Sequence, residues 1–236
     1  MCWNKEVSGV SFLFILAVCG LFFYRNLEND RLLAFFIIAY GSMQLFEFFI
    51  WSGIDYSNKI LNIIGTSLAA MILYFHPLAM TIGMKYDKLY KEDVKTPLYK
   101  ASIVLGTIFL CYGIISTLYL VFKSDKWSFI SVKDKVSDHL VWDFPDHYFI
   151  GLIIIILPLI IIMKRNAVFG IAILCYFLLP IIYFKLTMKS EPKHTNALFR
   201  GSYWCWFSAS FAVILYFINP YIQISNIKYT KNRNNT

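Results

Sequence analysis

The sequence predicts an all-α, polytopic membrane protein with seven transmembrane helices. The chain of 236 residues is 58% hydrophobic and only 15% charged, whereas a soluble domain is roughly 25% charged. Its apolar residues form long runs, close to the roughly 20 residues that cross a hydrocarbon core. Polar stretches separate these runs and hold most of the Lys and Arg residues.

The predicted spans follow one another in a single bundle over residues 1–218, and a polar cytoplasmic tail follows over residues 219–236. The spans lie at about residues 7–24, 32–51, 60–84, 98–122, 148–163, 167–184 and 197–218. We interpret the first as a retained helix, because its apolar run is longer than a usual signal core and Ala17-Val18-Cys19 is a poor cleavage site. The fifth and sixth cannot be one helix, which would be about 55 Å long against a core of about 30 Å.

The outer loop, residues 123–147, is unusually long for a connector. Within it Val132, Val136 and Leu140 recur every four residues between charged residues. This spacing predicts a short amphipathic helix that lies on the membrane, with Trp127 and Trp142 as interfacial anchors. The Asp and His residues of the loop match no metal-site spacing, so we predict no metal.

Basic residues set the expected orientation and partners. The formal net charge is +8, and the short loop at residues 85–100 and the Lys164-Arg165 turn are strongly basic. We therefore expect the amino terminus outside, the carboxyl terminus in the cytoplasm, and contact with anionic headgroups at the cytoplasmic face. The basic residues are scattered among loops, which argues against nucleic-acid binding. The five Cys show neither a disulfide framework nor metal-type spacing, and no particular cofactor is indicated.

The candidate site centres on the second span, which carries a carboxylate in a hydrophobic segment. Four of its residues are spaced four, three and four apart and so share one helical face: Tyr40, Gln44, Glu47 and Trp51. A charge in hydrocarbon is expensive, so this face should point into the bundle. We expect Glu47 roughly 6 Å below the outer end of its span.

Other spans should supply residues at the level of Glu47. These are Thr66 and Ser67 in the third span, and Arg200, Ser202 and Tyr203 in the seventh. A Glu47–Arg200 pair would keep both charges, either as a fixed contact between helices or as part of a ligand-binding polar pocket that opens outward. His76, before Pro77, should lie about 10 Å further along the axis, either as a satisfied interior histidine or as a proton relay.

Three functions fit this pattern. The leading one is an integral membrane protein that binds or transports a small ligand, ion or lipid in an outward-facing pocket. The alternatives are an intramembrane lipid-modifying enzyme that uses Glu47, with His76 as a second acid or base, and a structural or partner-binding protein with no ligand. No catalytic residue is assigned, because an enzyme would need a second group within hydrogen-bond reach of Glu47.

Several short motifs resemble one known family. They are Cys2-Trp3, the Arg25–Arg31 stretch, Met43-Gln-Leu-Phe-Glu47 with Trp51, Pro77-Leu78 and Gly201-Ser-Tyr-Trp-Cys-Trp206. Together they resemble an uncharacterised family of small multi-span membrane proteins of giant DNA viruses and algae. The resemblance implies a viral or algal origin and a polytopic fold, and it implies no activity. His76 departs from it, since Gln would be expected before Pro77.

Overall fold

The structure is a computed structural model that describes residues 4–123, 129–133, 140–141, 148–175, 178 and 210–221. Four of its helices are long and apolar enough to cross a membrane: α1 (Lys5–Arg25), α2 (Asp30–Asp55), α3 (Lys59–Tyr86) and α4 (Pro97–Lys123). They confirm the predicted helical fold and provide four candidate membrane spans. Each matches a predicted span and extends it by a few residues at one or both ends.

Short connections make α1, α2 and α3 run antiparallel, because three or four residues cannot carry the chain back across the bundle. Lys5 at the start of α1 lies 3.2 Å from the carboxylate of Asp55 at the end of α2. We call this side of the bundle the Lys5 face. The opposite side, where α1 ends and α2 begins, is the Arg25 face.

The α2–α3 pair forms the core of the described bundle. In their most apolar stretches α2 and α3 bury 61% and 67% of their residues, against 28% for α1 and 22% for α4. The two outer helices accordingly expose large apolar side chains, such as Leu13 on α1 and Ile115 on α4. Such side chains suit contact with lipid.

Three glycines bring α2 and α3 into close contact along their whole length. A Cβ atom on Gly53 would lie 2.6 Å from the backbone of Asn62, and one on Gly65 would lie 2.9 Å from the backbone of Ile50. One on Gly83 would lie 2.9 Å from the backbone of Leu32. Small residues allow this approach between membrane helices. The three contacts also fix the register, which places Tyr40 level with His76.

Shorter helices follow α4. They are α5 (Tyr148–Ile154) and α6 (Ile156–Arg165), α7 (residues 167–175) and α8 (Ser210–Tyr221). The break between α5 and α6 lies at Ile155, next to Ile154, whose carbonyl receives no hydrogen bond from Pro158 because proline has no N–H. Residues 179–209 lie outside the described part of the chain, so the count of seven spans stays a prediction.

The amphipathic helix predicted in the outer loop is wrong where the structure describes that loop. Val132–Lys133 pairs with Leu140–Val141 as two antiparallel strands. Leu140 is fully buried while Val132 is 49% exposed, so the two do not share an apolar face. Val136, Trp127 and Trp142 lie outside the described residues. The segment just before the hairpin is held by hydrogen bonds to α3, and this attachment favours an extended chain over a helical turn.

Candidate polar site between the second and third helices

The predicted polar face of α2 is buried. Gln44 and Glu47 are fully buried, and Tyr40 and Trp51 are each 3% exposed. We keep the name polar face for these four side chains. The burial follows from position, because α2 is flanked by α1 on one side and by α3 on the other. A residue on this face therefore meets neighbouring helices rather than lipid.

Glu47 lies in the interior of α2. The helix continues past Trp51 to Asp55, so eight residues, or about 12 Å, separate Glu47 from the helix end. The extra turn forms because Gly53 packs directly on Asn62 of α3. Glu47 is therefore placed well inside a spanning helix, where a carboxylate is costly to keep.

His76 joins the polar face at the level of Tyr40. The two rings lie 5.1 Å apart between centroids, and His76 is 1% exposed. The imidazole lies beside the backbone of Ala39, yet neither ring nitrogen makes a hydrogen bond of acceptable geometry within the described chain. Whether His76 is a satisfied interior histidine or a proton relay therefore stays a matter of prediction.

Apolar side chains close the bundle on the Arg25 side of His76. Leu33 and Phe36 of α2 and Met80 and Met84 of α3 are all fully buried there. The Phe36 ring lies 6.4 Å from His76. Between this level and Asp30 at the start of α2, Thr81 is the one buried polar side chain that the structure describes on α2 and α3, and its hydroxyl bonds the carbonyl of Pro77.

A short extended segment covers the Lys5 end of α3. The amide group of Asn62 donates to the carbonyl of Ser131 at 2.9 Å and accepts from its N–H at 3.0 Å. Thr66 adds a contact of 2.9 Å between its hydroxyl and that of Ser131. We call residues 129–133 the strap. Thr66, expected at the level of Glu47, is therefore committed to the strap instead.

The part of the predicted site that comes from the seventh span lies outside the described residues. This applies to Arg200, Ser202 and Tyr203. The Glu47–Arg200 pair accordingly stays a prediction. Within the described residues no cluster of three or more His, Cys, Asp or Glu side chains could hold a metal ion.

The Arg25 face contains a polar network that was not predicted from the sequence. Arg25 donates twice to the carboxylate of Asp30, at 2.9 and 2.7 Å, and also to the carbonyl of Tyr216 on α8. Asn219 of α8 donates to the same carboxylate at 2.8 Å. Asp30 is fully buried. The signal in the sequence was an Arg and an Asp five residues apart across a tight turn between two spans.

A second set of contacts ties the loop between α3 and α4 to this network. Tyr90 donates to Asn29 at 2.6 Å, and Arg165 of α6 contacts Asp93 at 2.5 Å. Asp87 accepts from the N–H groups of Leu32 and Leu89, while burial raises the pKa of its carboxyl. These side chains bind one another, so this face is suited to holding helices together rather than to holding a ligand.

Comparison with protein-family models, curated proteins and solved structures found no match for this chain. The resemblance to viral and algal membrane proteins therefore stays a prediction.

Proposed function

We propose that this protein binds a small ligand or ion at the polar face of α2, which the ligand reaches from the Lys5 side. One observation carries the proposal: Glu47 is fully buried inside a helix that can cross the membrane. Ionisable residues at such positions usually mark a ligand or ion path, because keeping them there is expensive. Gln44, Tyr40 and Trp51 add hydrogen-bonding groups on the same face.

The distribution of polar groups favours binding over an open channel. Polar side chains reach from Trp51 to the level of His76, a distance of about 16 Å along α2. Beyond His76, fully buried Leu33, Phe36 and Met80 fill the α2–α3 pair. Movement of the ligand through this pair to the other side would require those side chains to repack.

The enzyme alternative has less support. Tyr40, level with His76, is seven residues from Glu47, which corresponds to about 10 Å along the helix. Two groups that share a proton must come within hydrogen-bond reach of each other or of one substrate atom. A single acid–base pair of Glu47 and His76 would therefore need a bridging molecule. No described contact favours it over simple binding.

The test compares wild type with Glu47→Gln in detergent at neutral pH. We expect the unfolding temperature of the variant to be unchanged or raised, because a carboxylate kept for binding is held at the expense of stability. Both proteins are then screened with sodium, calcium, choline and lipids. A ligand at 100 times its Kd should stabilise wild type by about 2.7 kcal/mol and leave the variant unaffected.

Glu92→Gln is the matched control, because the Glu92 carboxylate is 72% exposed. It should behave as wild type in both measurements. A large fall in stability for Glu47→Gln alone would show a paired structural charge. That result would replace binding with the structural alternative.

A further inference from the structure

Several serine and threonine hydroxyls inside the spanning helices bond the carbonyl four residues earlier. This arrangement satisfies a polar group where water is scarce. Four hydroxyls do so at 2.8 to 3.0 Å, namely Ser42 to Ile38, Thr81 to Pro77, Ser102 to Leu98 and Thr107 to Ile103. In these four cases the hydroxyl finds its hydrogen-bond partner within its own helix.

Three buried hydroxyls of α3 and α4 are satisfied neither in this way nor by another described group. The oxygens of Ser67, Tyr74 and Thr117 are buried and have no hydrogen-bond partner within the described chain. Tyr74 is 1% exposed and Thr117 is fully buried. They also make no hydrogen bond to one another. A buried hydroxyl without a partner lowers stability, so three of them in one region require an explanation.

The three hydroxyls lie on a single seam between α3 and α4. Gly113 packs directly on the ring of Tyr74, and Gly106 packs on Leu78. These contacts show the helices to be antiparallel, so the register places Thr117, one turn beyond Gly113, opposite Ser67. Helical spacing puts Ser67 on the Tyr74 side of α3. The tyrosine side chain inclines towards the start of its helix, which directs its hydroxyl towards the other two.

The two helices that form the seam carry no acidic or basic side chain at this level. Between Lys59 and Lys85, α3 contains no Asp, Glu, Lys or Arg, and its one histidine, His76, contacts Tyr40 and Phe36 of α2, away from α4. Between Lys100 and Lys123, α4 contains no Asp, Glu, Lys, Arg or His. A bound group would therefore meet hydroxyls and aromatic rings, without a counter-ion. This chemistry selects an uncharged partner that both donates and accepts hydrogen bonds.

The depth of the seam matches a lipid headgroup that lies low in the interface. Ser67 is eight residues and Thr117 six residues from the Lys5-face ends of their helices, or about 12 and 9 Å. Helices of this length extend about 5 to 6 Å beyond each side of a 30 Å core. Ser67 and Thr117 thus lie only about 4 to 6 Å inside the hydrocarbon, whereas the backbone of Tyr74, 15 residues from the same end of α3, lies deeper. Exposed Ile115 and Leu118 of α4 border this level on the outside.

We propose that the α3–α4 seam binds the uncharged hydroxyl group of a membrane lipid, with Ser67, Tyr74 and Thr117 as its hydrogen-bond partners. The shared chemistry is one hydroxyl on an apolar body, which a sterol and a diacylglycerol both supply. This site is separate from the polar face of α2, because the two lie on opposite sides of α3.

The test measures unfolding temperature in detergent with added cholesterol, dioleoylglycerol or cholestane, which lacks the hydroxyl. Cholesterol or dioleoylglycerol should stabilise wild type, and the responding lipid identifies the source. Cholestane should have no effect. Thr117→Val and Tyr74→Phe keep the side-chain shape, and each should weaken the apparent affinity roughly threefold to tenfold, as expected for one lost hydrogen bond.

Thr107→Val is the matched control, because Thr107 is exposed on the same helix and bonds its own backbone. It should respond to lipid as wild type does. The proposal is overturned if neither hydroxyl lipid stabilises wild type, or if cholestane acts equally well. It is also overturned if Thr117→Val and Tyr74→Phe keep the full response.

Discussion

At the scale of single residues, the strongest described contact is the buried pair of Arg25 and Asp30. The carboxylate of Asp30 accepts two bonds from the guanidinium, one from the Leu27 N–H and one from Asn219. Arg25 also lies over the ring of Tyr216, 4.1 Å from its centroid. This one pair therefore connects the end of α1, the start of α2 and the final helix α8.

Asp30→Ala should destabilise the protein strongly. Removing one partner of a buried ion pair leaves the other charge without compensation, at a cost of about 3 to 5 kcal/mol. Unfolding in detergent, followed by circular dichroism, measures the effect. Glu92→Ala is the control, since its pair with Lys95 is exposed and should contribute less than about 1 kcal/mol. Equal losses for the two variants would contradict this account.

Only the part of the candidate site that lies on one helix was predictable from sequence. The spacing of Tyr40, Gln44, Glu47 and Trp51 predicts a shared inward face, because helix geometry is local. The level of His76 against Tyr40 depends on the register of two helices, which the glycine contacts set. The hydrogen bond from Asn62 to Ser131 joins residues that are 69 positions apart in the sequence. A contact over this separation leaves no periodic pattern in the sequence that could predict it.

At the scale of elements, the glycines of the α2–α3 contact decide how closely the two helices approach. A Cβ atom on Gly65 would lie 2.8 Å from the side chain of Ile50 and 2.9 Å from two backbone atoms of α2. Backbone atoms cannot move aside as a flexible side chain can. Close approach at this point is thus available only to glycine.

Gly65→Ala should therefore lower stability, although alanine is the better helix former. We expect a loss of about 1 to 3 kcal/mol from overpacking, measured as a fall in unfolding temperature. Gly20→Ala provides the comparison, because nothing lies within 4 Å of a Cβ there. It should be neutral or slightly stabilising. A stable Gly65→Ala protein would mean that the helices separate without penalty.

The predicted elements were most accurate where the apolar runs were long. The starts and ends of α1, α3 and α4 lie within two residues of their predictions, since composition changes sharply at a membrane boundary. The outer loop was different, because its four-residue spacing of Val and Leu is too short a pattern to outweigh contacts made elsewhere. Ser131, held by α3, and the pairing of Lys133 with Leu140 determine its conformation.

At the scale of the whole molecule, the antiparallel helices divide the loops between two faces. Lys59 lies on the Lys5 face, and Lys91 lies in the loop that joins α3 to α4 on the Arg25 face. The basic short loop at residues 85–100 favours placing the Arg25 face in the cytoplasm. We propose this orientation, with the amino terminus outside.

Labelling with a membrane-impermeant maleimide tests the orientation, because both lysines are exposed. Lys59→Cys should be labelled on intact cells, whereas Lys91→Cys should require permeabilised membranes. Wild type measures the background from native cysteines. The reverse pattern would place the polar face of α2 on the cytoplasmic side and would invert the proposed direction of ligand entry.

The strap carries a consequence for how this protein can change over evolutionary time. Asn62 pairs with the peptide group of Ser131 through both a donor and an acceptor, and every residue except proline offers that same peptide group. Another small residue at position 131, which is 1% exposed, can therefore keep the loop docked with loss of the Thr66 hydroxyl contact alone, whereas a change of Asn62 would release the loop. Divergent copies of the chain should keep Asn62 fixed and a small residue at position 131.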